Sequence, residues 1–303
     1  MTLHVGKGHG TRNDFVLLDD AAGTLDLTPA LVRALADRRA GIGGDGVIRL
    51  VRSVVTPDAA AALAEDPGAT WFMDYRNADG SVAEMCGNGV RVVAAFAERL
   101  GAWDGVGELV LATRAGVRRV RRLGMPEVPD GDPAPWYEVD MGAWSLPGGD
   151  AAVDAGGDAE VAVAGLDVPR PALSVDVGNP HTVVVLPDPA ALADADLTRA
   201  PLVAPAPAHG TNVELVVPLG EDPDGAGRLR MRVHERGVGE TESCGTGACA
   251  AAVAVRTWAG ADGPDVWWVE VPGGTLRVRL LGGRVLLAGP AVLVFDADAP
   301  GLG

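Results

Sequence analysis

The sequence of 303 residues predicts an α+β protein of two pseudo-symmetric halves, each a curved, mostly antiparallel sheet around a central helix. Three observations support this class. Strand-like segments greatly outnumber helical ones. A Cys-Gly-x-Gly motif occurs twice, at Cys86 and at Cys244, and an apolar helical run follows each copy. In both halves strand-like segments precede and follow the motif, which is the order expected of a duplicated unit.

The length also favours two domains, because single domains are typically about 100–150 residues. We place the first half at residues 1–135 and the second at residues 136–290, with the last strand, residues 291–303, as a candidate to join the first half. The stretch from Gly124 to Pro135 is rich in glycine, proline and aspartate and is the best linker. The site is expected in the cleft between the halves.

The first half begins with two short strands, Leu3–Val5 and Phe15–Leu18, around a glycine-rich stretch, residues 6–14, that we interpret as a ligand-facing turn. A helix is predicted over Thr28–Arg39, with Thr28 as its N-cap and a proline at its first position.

The glycines after this helix lead into a strand, which is the reverse of the order that a dinucleotide-binding turn requires. Residues 56–69 are polar and bounded by proline, which indicates an excursion between two strands.

The second half contains a long Ala-, Gly- and Asp-rich stretch, Leu146–Pro171, that we interpret as a poorly ordered loop around one strand. Ser174–Leu186 predicts two strands joined by Gly-Asn-Pro-His, a turn that restricts where Asn179 and His181 point. Thr211–Val217 predicts another strand, led by Asn212.

The charge composition bears on the choice of partners. The net charge is −16 and the pI is about 4.6, so no basic surface is available to bind nucleic acid or an anionic membrane. No apolar run approaches the roughly 20 residues of a membrane span, and the amino terminus lacks the pattern of a secretory signal. These features predict a cytoplasmic protein.

The three cysteines are odd in number and none is in C-x-x-C spacing, which favours reduced thiols over a disulfide framework or a zinc site. Lys7 is the only lysine and lies in the N-terminal stretch, so nothing suggests a pyridoxal phosphate site. The sequence therefore predicts neither a metal nor a cofactor.

A thiol at the start of a helix has two useful properties. The unpaired N–H groups and the helix dipole lower its pKa, and the same N–H groups can bind a carboxylate. Two such thiols suit proton transfer at both faces of one carbon: a thiolate removes an α-proton and a thiol delivers one from behind. Taken alone, each cysteine would more often be an inert buried residue. The second copy of the motif favours catalysis.

Two further residues are candidates to tune these thiols. His181 and Glu235 could each pair with a cysteine, so that one is held as thiolate and the other as thiol. The alternatives are a hydrogen-bonded histidine in a turn for His181 and a surface ion pair with Arg236 for Glu235.

The motifs RNADGSVAEMCGNG and HERGVGETESCGTGACA, with GHGTRNDF, GNPH and GTNVEL, resemble the diaminopimelate epimerase family in order, from residue 7 to residue 250. The family is cofactor-independent and acts in lysine and peptidoglycan-precursor synthesis, and the resemblance implies a homodimer that interconverts LL- and meso-2,6-diaminopimelate. It also implies Cys86 as proton donor and Cys244 as proton acceptor, roles that exchange in the reverse direction.

The same resemblance implies the remaining site residues. His181 and Glu235 would adjust the pKa values of the two cysteines. The first residues of the two helices, Gly87 with Asn88 and Gly245 with Thr246, would hold the carboxylate at the reacting centre. The rest of the substrate would be held by Asn13, Asn77, Asn179, Asn212, Glu235 and Arg236.

Two positions depart from the family pattern. Gly46 stands where many members carry glutamine, so a substrate contact there is lost or supplied by another residue. Arg12 replaces a commonly small residue beside Asn13. Cys249, inside the second motif helix, is expected to be a packing residue.

Three other readings remain open. Proline and hydroxyproline racemases also use two cysteines, but they tend to carry histidine where this chain has Asn88, and a cyclic substrate would leave Arg236 unexplained. PhzF-type isomerases resemble the fold and lack the cysteine pair. A redox switch or binding protein would join Cys86 and Cys244 in a reversible disulfide.

Overall fold

The computed structural model of the chain describes residues 2–125 and 134–300. Most of the predicted linker, residues 124–135, therefore lies outside the described residues. Contacts divide the chain into two compact units. The first comprises Met1–Asp140 together with Gly289–Gly303, and the second comprises Met141–Ala288.

The strands up to residue 143 are β1 (Thr2–Gly10), β2 (Asn13–Asp19), β3 (Gly46–Arg52), β4 (Trp71–Asn77), β5 (Glu108–Thr113), β6 (Gly116–Leu123) and β7 (Trp136–Ala143). The helices among them are α1 (Pro29–Ala36), α2 (Ala60–Glu65) and α3 (Gly87–Arg99).

The later strands are β8 (Ala159–Ala162), β9 (Arg170–Asp176), β10 (Pro180–Val185), β11 (Leu202–Ala204), β12 (Asn212–Glu221), β13 (Gly227–Glu235), β14 (Gly239–Thr241), β15 (Val266–Val271), β16 (Gly274–Leu281), β17 (Arg284–Pro290) and β18 (Val292–Pro300). The later helices are α4 (Gly149–Ala155), α5 (Pro189–Asp194) and α6 (Gly245–Ala259).

The first unit is a mixed sheet that surrounds α3. Strand β1 pairs antiparallel with both β2 and β18, and the sheet continues through the parallel pair β2–β3 and the antiparallel pair β3–β4. The pairs β4–β5, β5–β6 and β6–β7 extend it further. All residues of α3 from Gly87 to Ala97 are buried, so a helix that is apolar on nearly every side is the core of this unit.

The second unit repeats this plan around α6. Its sheet contains the antiparallel pairs β9–β10, β12–β13, β15–β16 and β16–β17 and the parallel pairs β10–β12 and β13–β15. Helix α6 packs against β9, β10, β12, β13, β15 and β16. Its alanines from Ala248 to Ala254 are buried, and their small side chains allow the strands to surround it closely. The α+β class predicted from the sequence is confirmed.

The predicted ligand-facing turn at residues 6–14 is wrong for most of its length. Residues up to Gly10 belong to β1, and only Thr11 and Arg12 form the turn into β2. The glycines serve packing instead: a Cβ on Gly8 would lie 2.9 Å from Val92 Cγ1 of α3 and 3.0 Å from the backbone oxygen of Val292. Glycine here allows a helix to lie directly on a strand.

Other local predictions had mixed outcomes. Helix α1 begins where predicted, with the Thr28 side chain accepting a hydrogen bond from the Leu31 N–H, but it ends at Ala36 rather than at Arg39. The strand pair within residues 174–186 is confirmed as β9 and β10. The prediction of a loop around one strand at residues 146–171 is wrong in one respect. Besides the strand β8 and the start of β9, this stretch contains the helix α4.

Within the described residues, no helix is both long enough and apolar enough to cross a bilayer.

Candidate active site

Cys86 is the N-cap of α3 in the first unit. Its Sγ accepts a hydrogen bond from the Gly89 N–H at 3.4 Å and lies 3.5 Å from Asn13 Oδ1, which can accept the thiol proton. Cys86 is partly exposed. Gly87 and Asn88 follow as the first helical residues, whose N–H groups have no partner inside the helix and suit a carboxylate.

Asn13 is held by groups on two other segments. Its amide nitrogen donates to Asp45 Oδ2 at 2.7 Å, and its oxygen accepts from Asn88 Nδ2 at 3.3 Å. Asp45 accepts in turn from Arg38 at 2.7 Å. Asp45 was not among the predicted site residues, although it determines which way the Asn13 amide points.

Asp14 anchors the same corner. It accepts hydrogen bonds from Arg38 at 2.7 Å and from Lys7, the sole lysine, at 2.5 Å. Burial alone would raise the pKa of Asp14, but the hydrogen bonds and charges of Arg38 and Lys7 outweigh it and lower the pKa to about 2. Lys7 therefore has a structural role, fixing the segment that carries Asn13.

Arg91 is a fully buried residue of α3 that sequence reasoning missed. Its guanidinium donates to Asn88 Oδ1 at 2.6 Å, to Pro290 O at 3.2 Å and to Thr11 Oγ1 at 3.3 Å. Arg91 thus orients Asn88, and through Asn88 it acts on Asn13 and Cys86. A charged residue inside the apolar run GVRVVAAFA is the signal that could have identified it, since a buried charge needs polar partners.

Asn77 lies at the end of β4, directly opposite Gly46 in the β3–β4 ladder, and its amide donates to Ser81 Oγ at 2.9 Å. A Cβ on Gly46 would lie 2.5 Å from Arg76 O and 2.6 Å from a ring carbon of Tyr75. A glutamine cannot be placed there without moving the backbone, which explains the departure at Gly46. Arg12, the other departure, is exposed on the turn.

We expect Gly46→Ala to lower the free energy of unfolding by at least about 2 kcal/mol, because the added methyl group meets backbone as well as ring atoms. Chemical denaturation measures the change. The control is Gly124→Ala, where a Cβ has open space and the backbone is in no glycine-only conformation. Equal stability of the two variants would contradict the explanation.

Cys244 occupies the same position in the second unit, as the N-cap of α6. Its Sγ accepts from the Gly247 N–H at 3.3 Å and lies 3.5 Å from Thr246 Oγ1. The residue is only 7% exposed. Burial raises the pKa of the Cys244 thiol well above its usual range, and the negative charges of Glu235 and Glu214 raise it further. The thiol form is therefore favoured at Cys244.

His181 is buried on β10 and is held from both sides. Its Nδ1 lies 2.7 Å from Glu214 Oε1, and its Nε2 lies 3.0 Å from Asn179 Oδ1. Glu214, on β12, has no exposed surface at all and was not predicted as a site residue. Its signal in the sequence is the same as that of Arg91, a charge within an apolar strand, NVELVV.

Asn212 links two predicted site segments through their backbones. It donates to Pro180 O at 3.1 Å and accepts from the Arg236 N–H at 3.0 Å. The Arg236 guanidinium is exposed and donates to His209 O at 2.6 Å. Glu235 accepts a hydrogen bond from Thr241. Asn212 therefore has a structural role that the sequence did not indicate.

Each unit therefore assembles its own part of the predicted site. In the first, Cys86, Asn13 and Asn88 lie together. In the second, Cys244 is followed by Gly245 and Thr246, the charges of Glu235 and Glu214 act on it, and His181 with Asn179 adjoins Glu214. Across residues 2–125 and 134–300, no three His, Cys, Asp or Glu side chains are grouped so as to bind a metal.

Comparison with known proteins identifies the family. The family model described as diaminopimelate epimerase matches residues 5–124 and 173–294, one stretch on each side of the chain midpoint. The diaminopimelate epimerase of Streptomyces coelicolor is 46% identical over 301 residues, covering 96% of this chain and 93% of that protein. The one from Rhodococcus opacus is 43% identical over 307 residues, covering 98% and 96%.

Solved structures of lower identity share the fold. A PhzF-family phenazine biosynthesis protein of Bacillus anthracis matches with a TM-score of 0.66 at 14% identity, covering 99% of each chain. A hydroxyproline epimerase of Agrobacterium vitis matches with a TM-score of 0.58 at 14% identity, covering 98% of this chain and 91% of that one. With the motif residues in place and relatives this similar along nearly the whole length, the chain belongs to the diaminopimelate epimerase family and is an isomerase.

Proposed function

We propose that this enzyme interconverts LL- and meso-2,6-diaminopimelate by moving an α-proton between Cys86 and Cys244. The observation that carries the proposal is the repeated geometry of the two thiols. Each cysteine caps the buried central helix of its unit, and the first helical N–H groups follow it immediately. We infer the substrate from the relatives, which are named diaminopimelate epimerases.

The reaction needs both thiols at a single α-carbon. One cysteine, as thiolate, takes the α-proton, and the C–H electron pair is left on the carbon and shared with the adjacent carboxylate. Helical N–H groups bound to that carboxylate stabilise the developing charge. The other cysteine then donates its proton to the opposite face. The configuration is inverted, and the two cysteines have exchanged protonation states, so the reverse reaction follows the same path.

The remaining residues of the proposed site hold the distal amino acid end of the substrate. Arg236 can bind its carboxylate through two parallel hydrogen bonds, and Asn13, Asn77, Asn179 and Asn212 can orient polar groups through their amides. Because Asn212 already donates to Pro180 O, its contribution is to position neighbours as much as to bind. Holding the far centre fixed explains why a single end would be inverted.

The experiment that tests the proposal is incubation of the purified enzyme with LL-diaminopimelate in deuterium oxide under reducing conditions. We expect meso product with deuterium at the inverted carbon, because the donated proton comes from a thiol that exchanges with solvent. Turnover of proline in preference to diaminopimelate would contradict the substrate assignment. Activity that requires a Cys86–Cys244 disulfide would favour the redox switch.

Three parts of the expectation remain predictions: a homodimer, a cytoplasmic location, and a place in lysine and peptidoglycan-precursor synthesis.

A further inference from the structure

The two cysteine motifs differ in what lies against their second glycine. In the first unit, a Cβ on Gly89 would lie 2.8 Å from Met73 Cε and 3.0 Å from Ile48 Cδ1, so the start of α3 packs on apolar side chains. In the second unit, a Cβ on Gly247 would lie 2.7 Å from Glu214 Oε1 and 3.2 Å from Cys244 Sγ. The second glycine thus leaves room for a carboxylate beside the sulfur.

The Glu214 carboxylate is a buried anion with an incomplete set of partners. Its Oε1 accepts from His181 Nδ1 at 2.7 Å, and both side chains have no exposed surface. Its Oε2 is buried and has no hydrogen-bond partner among the described residues. An anion in such surroundings is poorly screened, so its charge acts strongly on a neighbouring titratable group.

Three residues on neighbouring strands form the charged surroundings of Cys244: two carboxylates that act on it directly and a histidine that lies against one of them. Glu214 lies on β12, Glu235 is the last residue of β13, and His181 lies on β10 against Glu214. Two of these three are carboxylates, and like charges nearby favour the neutral thiol over the thiolate. The Cys86 Sγ lies against the Asn13 amide oxygen and the Gly89 N–H.

We propose that Glu214 is a positioning residue that keeps Cys244 protonated in the substrate-free enzyme, so that Cys244 is the first proton donor and Cys86 the first acceptor. The proposal rests on the proposed two-thiol reaction, and it gives a reason why two similar motifs begin the cycle in opposite protonation states. It also reverses, for the resting enzyme, the donor and acceptor roles that the family resemblance implies. Glu214 itself need not touch the substrate, since it has no exposed surface.

The test is the pH dependence of thiol alkylation by iodoacetamide, with the Cys86 and Cys244 peptides quantified by mass spectrometry in one digest. Glu214→Gln keeps the shape of the side chain and removes its charge. We expect the alkylation midpoint of Cys244 to fall by at least about one pH unit, which is a rate roughly tenfold higher at a pH below both midpoints. The midpoint of Cys86 in the same molecule is the internal control and should not move.

Glu214→Asp keeps the charge but withdraws it by one methylene group, so we expect its Cys244 midpoint to lie between those of the wild type and Glu214→Gln. A Cys244 midpoint that stays constant or rises in Glu214→Gln would overturn the proposal, as would equal shifts at both cysteines. The unsubstituted enzyme provides a measurement that needs no variant: its Cys244 midpoint must lie above its Cys86 midpoint.

Alkylation requires no turnover, so this result is independent of the deuterium experiment. Deuterium incorporation without the alkylation shift would leave the epimerase proposal standing and remove the role of Glu214. An alkylation shift without deuterium incorporation would support the role of Glu214 and contradict the epimerase proposal.

Discussion

Replacing either Cys86 or Cys244 by serine should lower the rate of inversion by at least about 10³-fold, because a hydroxyl is too weak an acid to replace a thiol in proton transfer. Serine preserves an oxygen that can cap the helix, so the loss reports chemistry and not folding. Chiral chromatography of the products measures inversion directly.

The two variants should differ in proton exchange. With one thiol left, the enzyme can still remove a proton from one face of the α-carbon and return a deuteron to the same face. We therefore expect each variant to incorporate deuterium without inversion, and to do so with opposite stereoisomers. This pattern separates a two-base mechanism from one in which a single group acts on both faces.

The control is Cys249→Ala. Cys249 is fully buried in α6, two residues beyond the Cys-Gly-Thr-Gly motif, and the role predicted for it is packing. We expect inversion at close to the wild-type rate and a stability loss of about 1 kcal/mol from the deleted sulfur. Full activity in both serine variants would contradict the assignment of Cys86 and Cys244.

Local sequence patterns predicted the elements that carry the two thiols. The start of each motif helix is encoded within a few residues: a capping side chain, two glycines and a continuous apolar run. The turn at Gly178 and Asn179 between β9 and β10 is similarly local. These features were predicted because their physical causes lie within one turn of the chain.

The supporting residues were missed because their partners are remote in sequence. Arg91 contacts Thr11 and Pro290, and Glu214 contacts His181. The apolar runs around the two residues indicate burial, but they do not show which remote groups each one contacts. The turn predicted from the glycines of β1 was wrong for a related reason. Glycine occurs both in turns and where two elements approach closely, and only the packing of α3 on β1 distinguishes the two cases.

Arg91→Met should reduce both stability and activity of the enzyme. Methionine fills much of the space but donates no hydrogen bond, so Asn88 Oδ1, Pro290 O and Thr11 Oγ1 lose the guanidinium. A buried acceptor left without its donor costs about 1–3 kcal/mol, and with three affected we expect the free energy of unfolding to fall by about 3 kcal/mol or more. Urea denaturation at neutral pH measures it.

Arg91→Met should also affect the turn between β1 and β2. Thr11 and Arg12 have φ angles of 49° and 64°, a conformation that is unfavourable for a β-branched residue such as threonine. The hydrogen bond from Arg91 to Thr11 Oγ1 is one of the contacts that hold this turn beside Asn13. Without the Arg91 guanidinium, both the turn that precedes Asn13 and the Asn88 side chain lose a hydrogen bond. Asn13 and Asn88 lie together with Cys86, so the surroundings of the thiol change at both residues.

We therefore expect inversion by the folded fraction of Arg91→Met to fall by about 10- to 100-fold, since small displacements of reacting groups have effects of that size. Arg99→Met is the matched control on the same helix. Arg99 is 45% exposed and pairs with Asp296, an interaction worth about 0–1 kcal/mol at a surface. If Arg91→Met proves no less stable than Arg99→Met, the guanidinium does not hold this part of the site. If it is less stable but inverts substrate normally, Arg91 supports the fold without positioning Asn88 for catalysis.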